Sequence, residues 1–485
     1  DAGGGLAVDV ANGRLTATNA DTVGLSTLRL ASTGELVVTL DPAATRNTRF
    51  NVAGAATLES GAKIGVRLAS KLTAPASFTL IDAGAGQLTA GTLDQGLLAA
   101  TPWLYKAELR IDQSAGDLLA DVRRRTAAEA GLDAAESAAY DAVFLNFDRD
   151  ATLAGAMLAK TDEASFRRLY DQLLPDYSGG LFHTLAQATE AAGRGIDSEP
   201  TLMGRDGLRA WTQEIGFVIK RDLERSGSYD ATGFGIAAGV EAPDTVMGVL
   251  GVQASFLTLD VDEKNSGANE FLGGSVFSAG LYWREKLGGL TASLGATGGY
   301  ASLDSRRTVV DVDAGLNRET KSDWSGGLFT LHGGLSYQAD LGPVFLRPQA
   351  SVDYLWFKEG DRTESGGGEA IDLDIDGRTS SQLAAFVGAT LGMRLGFGGE
   401  MEWSPELTGG WRQVSGKGPG DTTARFLGGG ETFTLSSPDL DGGAAVARAA
   451  FRGSGTYFDI GVEGGAEFRD EYDAYDARLY ARVKF

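Results

Sequence analysis

The chain has 485 residues, no cysteine, only two histidines, and 65 acidic against 43 basic side chains, for a formal net charge of −22. Absent thiols exclude a disulfide scaffold, thiol catalysis and cysteine-held zinc, and the acidic balance argues against nucleic acid as a partner. Glycine is abundant at 69 residues while proline is scarce at 11, unlike a disordered chain, and no run of about 18 apolar residues marks a transmembrane helix. The length predicts two or three domains. A start at Asp1 rather than Met reads as a mature or excised piece, with any signal peptide outside it.

Residues 1–125 read as short β segments between Gly, Asn and Asp turns, such as GELVVTL (34–40), AKIGVRL (62–68) and SFTLIDAG (77–84). Sandwich and solenoid both produce such segments, and the loose repeat leans towards the solenoid. Residues 103–125 read as a closing hairpin. Residues 126–207 are Ala-rich with helical spacing, as in Phe166, Leu169, Leu173 and Leu174. Pro175 and Asp176 break that run and offer a cap. A last helix is expected over about 178–196, ending at Gly193-Arg194-Gly195.

From residue 208 to 485 the period changes to two. Leu383, Ala385, Val387, Ala389, Leu391 and Met393 share one face, opposite Phe386, Gly388, Thr390 and Gly392. Such strands fit a soluble sandwich with one wet face or a transmembrane barrel, apolar outside and polar within. Three features favour the barrel. The segments exceed the ~9–11 residues that cross a bilayer. Aromatic residues at their ends suggest interfacial girdles: Trp211, Tyr282, Trp283, Tyr300, Trp324, Tyr354, Trp356, Trp403 and Trp411. Connectors alternate between short turns and long acidic loops near 221–230, 260–270, 303–322, 358–379 and 413–443. About twelve strands follow, the last pairing with the first, so that the apolar face of YDARLYARVKF meets lipid and no edge remains.

Alternation points His332, Arg347, Asp353, Arg394, Glu402, Glu406, Arg412, Glu463, Glu467, Arg478 and Arg482 into the lumen. Both signs occur there, which suits a wall bonding a plug or a passing chain rather than a strongly selective pore. The segment from about 178 to 196, carrying His183, Gln187, Glu190 and Arg194, is too polar for lipid and too small-sided for a strong soluble core helix. It is expected inside the barrel, where glycines (235, 239, 295, 299, 388, 392, 461 and 465) leave room for a helix ~10 Å across.

Catalytic and metal motifs are weak. No G-x-S-x-G elbow occurs, and GFGIAAG (233–239) has the wrong spacing for a dinucleotide loop. Lone His183 and His332 read as hydrogen-bonding wall residues. Asp372, Asp374, Asp376 and Gly377 match the start of a calcium loop, but Leu383 replaces the bidentate glutamate of its twelfth position. The favoured reading there is a strand extension with carboxylates in solvent. No cofactor is expected.

The order of these parts resembles the C-terminal part of a type Va autotransporter. Residues 34–68 followed by SFTLIDAG resemble the autochaperone end of a passenger, and YDQLLPDYSGGLFHTLAQATEAAGRG the helical stretch entering the barrel. RAWTQEIGF resembles the first barrel strand and ARLYARVKF the last. The resemblance implies a mainly β chain: a β-solenoid end over 1–125, a helical linker over 126–207 and an outer-membrane barrel over 208–485. It implies a non-enzymatic translocator in the outer membrane of a Gram-negative bacterium, monomeric, exporting its own upstream passenger to the cell surface. Implied partners are outer-membrane lipid and lipopolysaccharide, periplasmic chaperones, and the barrel assembly machinery, whose recognition signal Phe485 resembles. Some members cut the linker between adjacent asparagines; no such pair occurs, and Asn146 stands alone. A barrel-anchored surface adhesin and a porin-like channel are the alternatives.

Overall fold

The computed structural model describes residues 5–197, 207–223, 227–245, 248–264, 269–396, 401–438, 440 and 442–484. In the N-terminal part, short strands stack in parallel in three sheets. Ala7–Val10, Thr27–Leu30, Ala56–Leu58 and Leu88–Ala90 form one. Gly13–Thr16, Gly34–Asp41 and Lys63–Leu68 form the second, and Thr22–Leu25, Arg49–Val52 and Ala76–Asp82 the third. In-register apolar positions, such as Val23, Phe50 and Ile81, line up from strand to strand. The stack encloses Leu28, Leu36, Val38, Ile64, Val66 and Leu80, all essentially dry. Tyr105–Asp112 and Asp117–Arg124 then form an antiparallel hairpin on the third sheet.

Four short helices follow: Ala134–Ala138, Tyr140–Asn146, Ala151–Ala159 and Glu163–Asp171. Local chemistry starts them. Asp133 and Glu136 make a reciprocal capping box, and Asp150 and Asp162 accept from backbone N–H groups of the first turns.

The C-terminal part is a closed antiparallel barrel of twelve strands. They are β1 (Arg209–Arg221), β2 (Tyr229–Thr245), β3 (Gly248–Glu263), β4 (Asn269–Leu287), β5 (Leu290–Asp311), β6 (Leu316–Tyr337), β7 (Val344–Glu359), β8 (Thr379–Met393), β9 (Glu402–Gly418), β10 (Gly442–Ser454), β11 (Phe458–Arg469) and β12 (Tyr472–Lys484). β1 pairs with β12 from Arg209↔Lys484 to Arg221↔Tyr472, which closes the ring and removes both edges. Phe485 lies outside the described residues. The outward face is apolar: Leu383, Val387, Leu391, Phe458, Val462 and Leu479 are exposed, while Phe386, Thr390, Asp459, Glu463 and Arg478 are buried inside.

Several expectations need correction. Residues 303–322 are not a loop: β5 and β6 each run 22 residues, about twice what a bilayer crossing needs. They continue beyond the lipid band as one hairpin, because the alternation of Leu303, Val309 and Leu316 persists to its tip. The long connectors over 358–379 and 413–443 contribute a small antiparallel sheet of Arg362–Thr363, Leu373–Ile375, Thr422–Phe426 and Phe433–Leu435. That sheet shares one apolar core with the linker helices, through Ile371, Leu373, Phe426 and Leu435 on one side and Phe144, Phe166 and Leu169 on the other. Fully buried Arg307 ties the cap together, donating to Gln172 O at 2.8 Å and Ile371 O at 2.9 Å while pairing with Glu364.

Trp211, Tyr282 and Trp324 do not join an interfacial girdle. They point inward because the lumen offers partners for their polar ends: Trp211 Nε1 donates to Tyr282 Oη at 2.8 Å and Trp324 Nε1 to Glu359 at 3.1 Å. The inward glycines serve the wall itself more than the helix. A Cβ on Gly239 would lie 2.6 Å from the Trp211 ring, on Gly392 2.2 Å from Phe345 and on Gly461 2.3 Å from Tyr480. Among the eight, Gly295 is the one whose added Cβ would meet the helix, at Ile196 Cδ1, 2.7 Å away. Each large ring therefore lies across a missing side chain on the neighbouring strand.

Candidate functional site

The helix Gly180–Asp197 leads towards the barrel, and 14 of its 18 residues are buried. Ser178 Oγ accepts from Gly180 N at 3.0 Å and so caps its start. Asp176 is not that cap; it accepts from Ser178 N at 2.9 Å and pairs with Arg378 at 3.2 Å. The helix runs through Gly193-Arg194-Gly195 rather than stopping there. Those glycines are contact points: a Cβ on Gly195 would lie 2.8 Å from Gln213, and one on Gly193 3.5 Å from His332.

Its two halves differ. Leu181, Phe182 and Leu185 pack with Ile215, Phe217, Leu257, Leu259, Val261 and Leu272 in a dry cluster towards the long-loop end. Towards the short-turn end the contacts become ionic. Glu190 lies 2.5 Å from Arg412 and 3.4 Å from Arg448. Arg194 pairs with Asp476, and with Glu463 at 3.5 Å. Arg284 donates to Ile196 O at 2.7 Å and pairs with Glu241 at 3.1 Å. Gln213 Nε2 donates to Ala192 O at 3.0 Å, while back at the long-loop end His183 Nδ1 is 2.9 Å from Tyr229 Oη. The contacts thus reach β1, β2, β4 and β9–β12. Gln187 is buried as well.

The wall charges neutralise one another. Arg412 also holds Glu467 at 2.9 Å, Arg478 holds Glu463 at 3.1 Å, and Arg347 and Arg452 share Glu406 at 2.6 and 3.4 Å. Arg482 is 3.4 Å from Glu241. His332 lies between Asp197 and Asp353, at 3.0 and 2.7 Å. Arg394 and Glu402 meet at 3.6 Å at the short-turn rim, with Asp340, and do not reach the helix. Cavities of about 40 and 100 Å³ flank the helix, each with room for a few waters.

Sequence reasoning missed Asp197, Glu241, Arg284, Arg448 and Arg452 as members of this network. Parity would have found Arg448 and Arg452, which share the inward face with Ala444 and Val446. The three aspartates of the calcium-like loop do not converge. Asp372 is buried rather than solvated, accepting from Gly367 N and Gly368 N at 2.9 Å. Asp374 pairs with Arg425 at 2.6 Å, and Asp376 faces solvent. Among the described residues, no three metal-binding side chains gather.

The family model described as autotransporter beta-domain matches residues 210–457, just over half of the chain. The chain belongs to the autotransporter β-domain family. Its barrel is therefore an outer-membrane translocator of a type V autotransporter, a transport barrel by family. Solved structures similar to this autotransporter chain include the translocator domain of NalP from Neisseria meningitidis. That structure is 15% identical over 64% of this chain and 97% of its own, with a TM-score of 0.48. The beta domain of the Bordetella autotransporter BrkA is 14% identical over 58% and 100%, with a TM-score of 0.42. The transport unit of AIDA-I from Escherichia coli is 12% identical over 64% and 100%, with a TM-score of 0.41. No curated protein matches the chain.

Proposed function

We propose that this autotransporter holds its own exported chain as a plug. Residues 1–125 are the β-solenoid end of a passenger and lie at the cell surface; 126–207 are the linker; and the helix of about 178–196 occupies the lumen of the 208–485 barrel. The carrying observation is that helix residues bond to strands on opposite sides of the ring, Glu190 to Arg448 on β10 and Ile196 O to Arg284 on β4. Parallel stacking of the N-terminal strands supports the solenoid. The wall groups His332, Arg347, Asp353, Glu406, Arg412, Glu463, Glu467, Arg478 and Arg482 bind the helix or belong to the ion-pair network that reaches it. The protein acts without catalysis, as a monomer, in contact with lipid and lipopolysaccharide, and is inserted by the barrel assembly machinery after escort by periplasmic chaperones.

In planar bilayers the intact protein is expected to conduct little. A variant lacking residues 1–196, with barrel formation checked by heat-modifiability, is expected to open a larger and steadier pore. Equal conductance of the two would overturn the plug and favour a porin-like channel.

A further inference from the structure

The last described residue of the helix is Asp197, whose carboxylate meets the barrel wall. The cation available is on β6. His332 Nε2 lies 3.0 Å from both carboxylate oxygens of Asp197, and His332 Nδ1 lies 2.7 Å from Asp353 Oδ1 on β7. Ser293 Oγ on β5 donates to the same Asp197. Ionised carboxylates only accept. A neutral imidazole has one N–H and can serve one of them, whereas an imidazolium serves both.

Gly334 leaves room for this contact, since a Cβ there would lie 2.7 Å from Asp197 Oδ1. Other charges face the pair from each neighbouring element: Glu190 and Arg194 from the helix, Arg412 from β9 and Arg284 from β4. Each of these is already engaged, Glu190 with Arg412, Arg194 with Asp476, and Arg284 with Glu241. His332 is thus the titratable cation directly on the helix end.

We propose that His332 is the positioning residue that parks the chain: as an imidazolium it clamps Asp197 against Asp353, and loss of its proton frees the helix end. This rests on the plug reading and adds to it the regulation of that plug by pH. The test uses the full-length protein in planar bilayers between about pH 6 and about pH 10, from the ordinary imidazole range to well above it, because carboxylates at 3.0 and 2.7 Å favour the protonated ring. The wild type should open at least tenfold more often at the upper pH. His332→Lys, a cation throughout this range, should stay closed at both. His332→Gln, which has no charge to lose, should open often at both. Asp197→Asn, which removes the clamped carboxylate without touching the wall, should raise openings at the lower pH and flatten the profile. A wild type indifferent to pH, or a folded His332→Lys that follows the wild-type profile, would overturn the clamp. If removing residues 1–196 opens the pore while the wild type ignores pH, only the clamp fails; if removal opens nothing, the plug itself fails.

Discussion

Glu190→Gln tests how the helix is held. Glu190 is 8% exposed and lies between Arg412 at 2.5 Å, Arg448 at 3.4 Å and its own helix neighbour Arg194 at 3.6 Å. Breaking a buried pair by removing one partner costs ~3–5 kcal/mol when the remaining charge is stranded. Arg412 is not fully stranded, because Glu467 still holds it at 2.9 Å. The loss should therefore approach that of one charged hydrogen bond, ~2–3 kcal/mol. The glutamine keeps the shape, so this loss falls on the helix–wall contact rather than on packing. It corresponds to a ~30- to ~150-fold shift towards the unplugged state, at 1.4 kcal/mol per tenfold. Opening frequency in planar bilayers reads this directly. Arg412→Gln should act similarly, and the double variant should cost less than the sum, since both sever one contact. An equally quiet Glu190→Gln, beside a deletion of 1–196 that opens, would mean that ion pairing does not hold the helix.

Other expectations follow from the wall and the cap. Leu391→Arg, on the exposed lipid face, should cost ~2–4 kcal/mol, and Thr390→Arg, facing the lumen beside Thr408, should assemble better; the reverse order in refolding into vesicles would place the register one residue off. Gly388→Ala drives a Cβ to 2.5 Å from Gly409 O and should cost ~1–3 kcal/mol in urea unfolding, as overpacking does. Deleting Phe485 should slow insertion, followed by heat-modifiability over time, without changing the final barrel. Arg123, with the Thr126 N–H, pulls the Glu129 carboxyl down to about 2. Its contribution is therefore present above the ordinary glutamate range and is lost as pH falls through about 2; Glu129→Gln should flatten that part of the acid unfolding curve.

The barrel was legible because its signal is local. One lipid face per strand imposes period two, and Leu383 to Met393 carry it without interruption. The cap was not legible, because Ile371, Leu373, Phe426 and Leu435 become a core only when two connectors and the linker helices meet. Trp211 and Trp324 misled for a related reason: an aromatic residue near a strand end reads as interfacial, while the inward partners Tyr282 and Glu359 come from other strands. The helix was legible from composition, and its polar side chains Glu190 and Arg194 from sequence alone. Their partners Asp476 and Arg448 lie more than 250 positions away, and the ring's register brings them together. Asp197 was hidden by the assumption that Gly193 and Gly195 end the helix. In the fold they mark close approach to His332 and Gln213.

The central claim is that the barrel exports the chain preceding it, so the most direct measurement is which side of the outer membrane residues 5–125 occupy. Intact cells producing the protein would be treated with external protease, and the fragments probed with one antibody to this segment and another to a short turn of the barrel. The account predicts that the N-terminal epitope is lost from intact cells while the barrel fragment survives. Protection of that epitope until the outer membrane is permeabilised would contradict it.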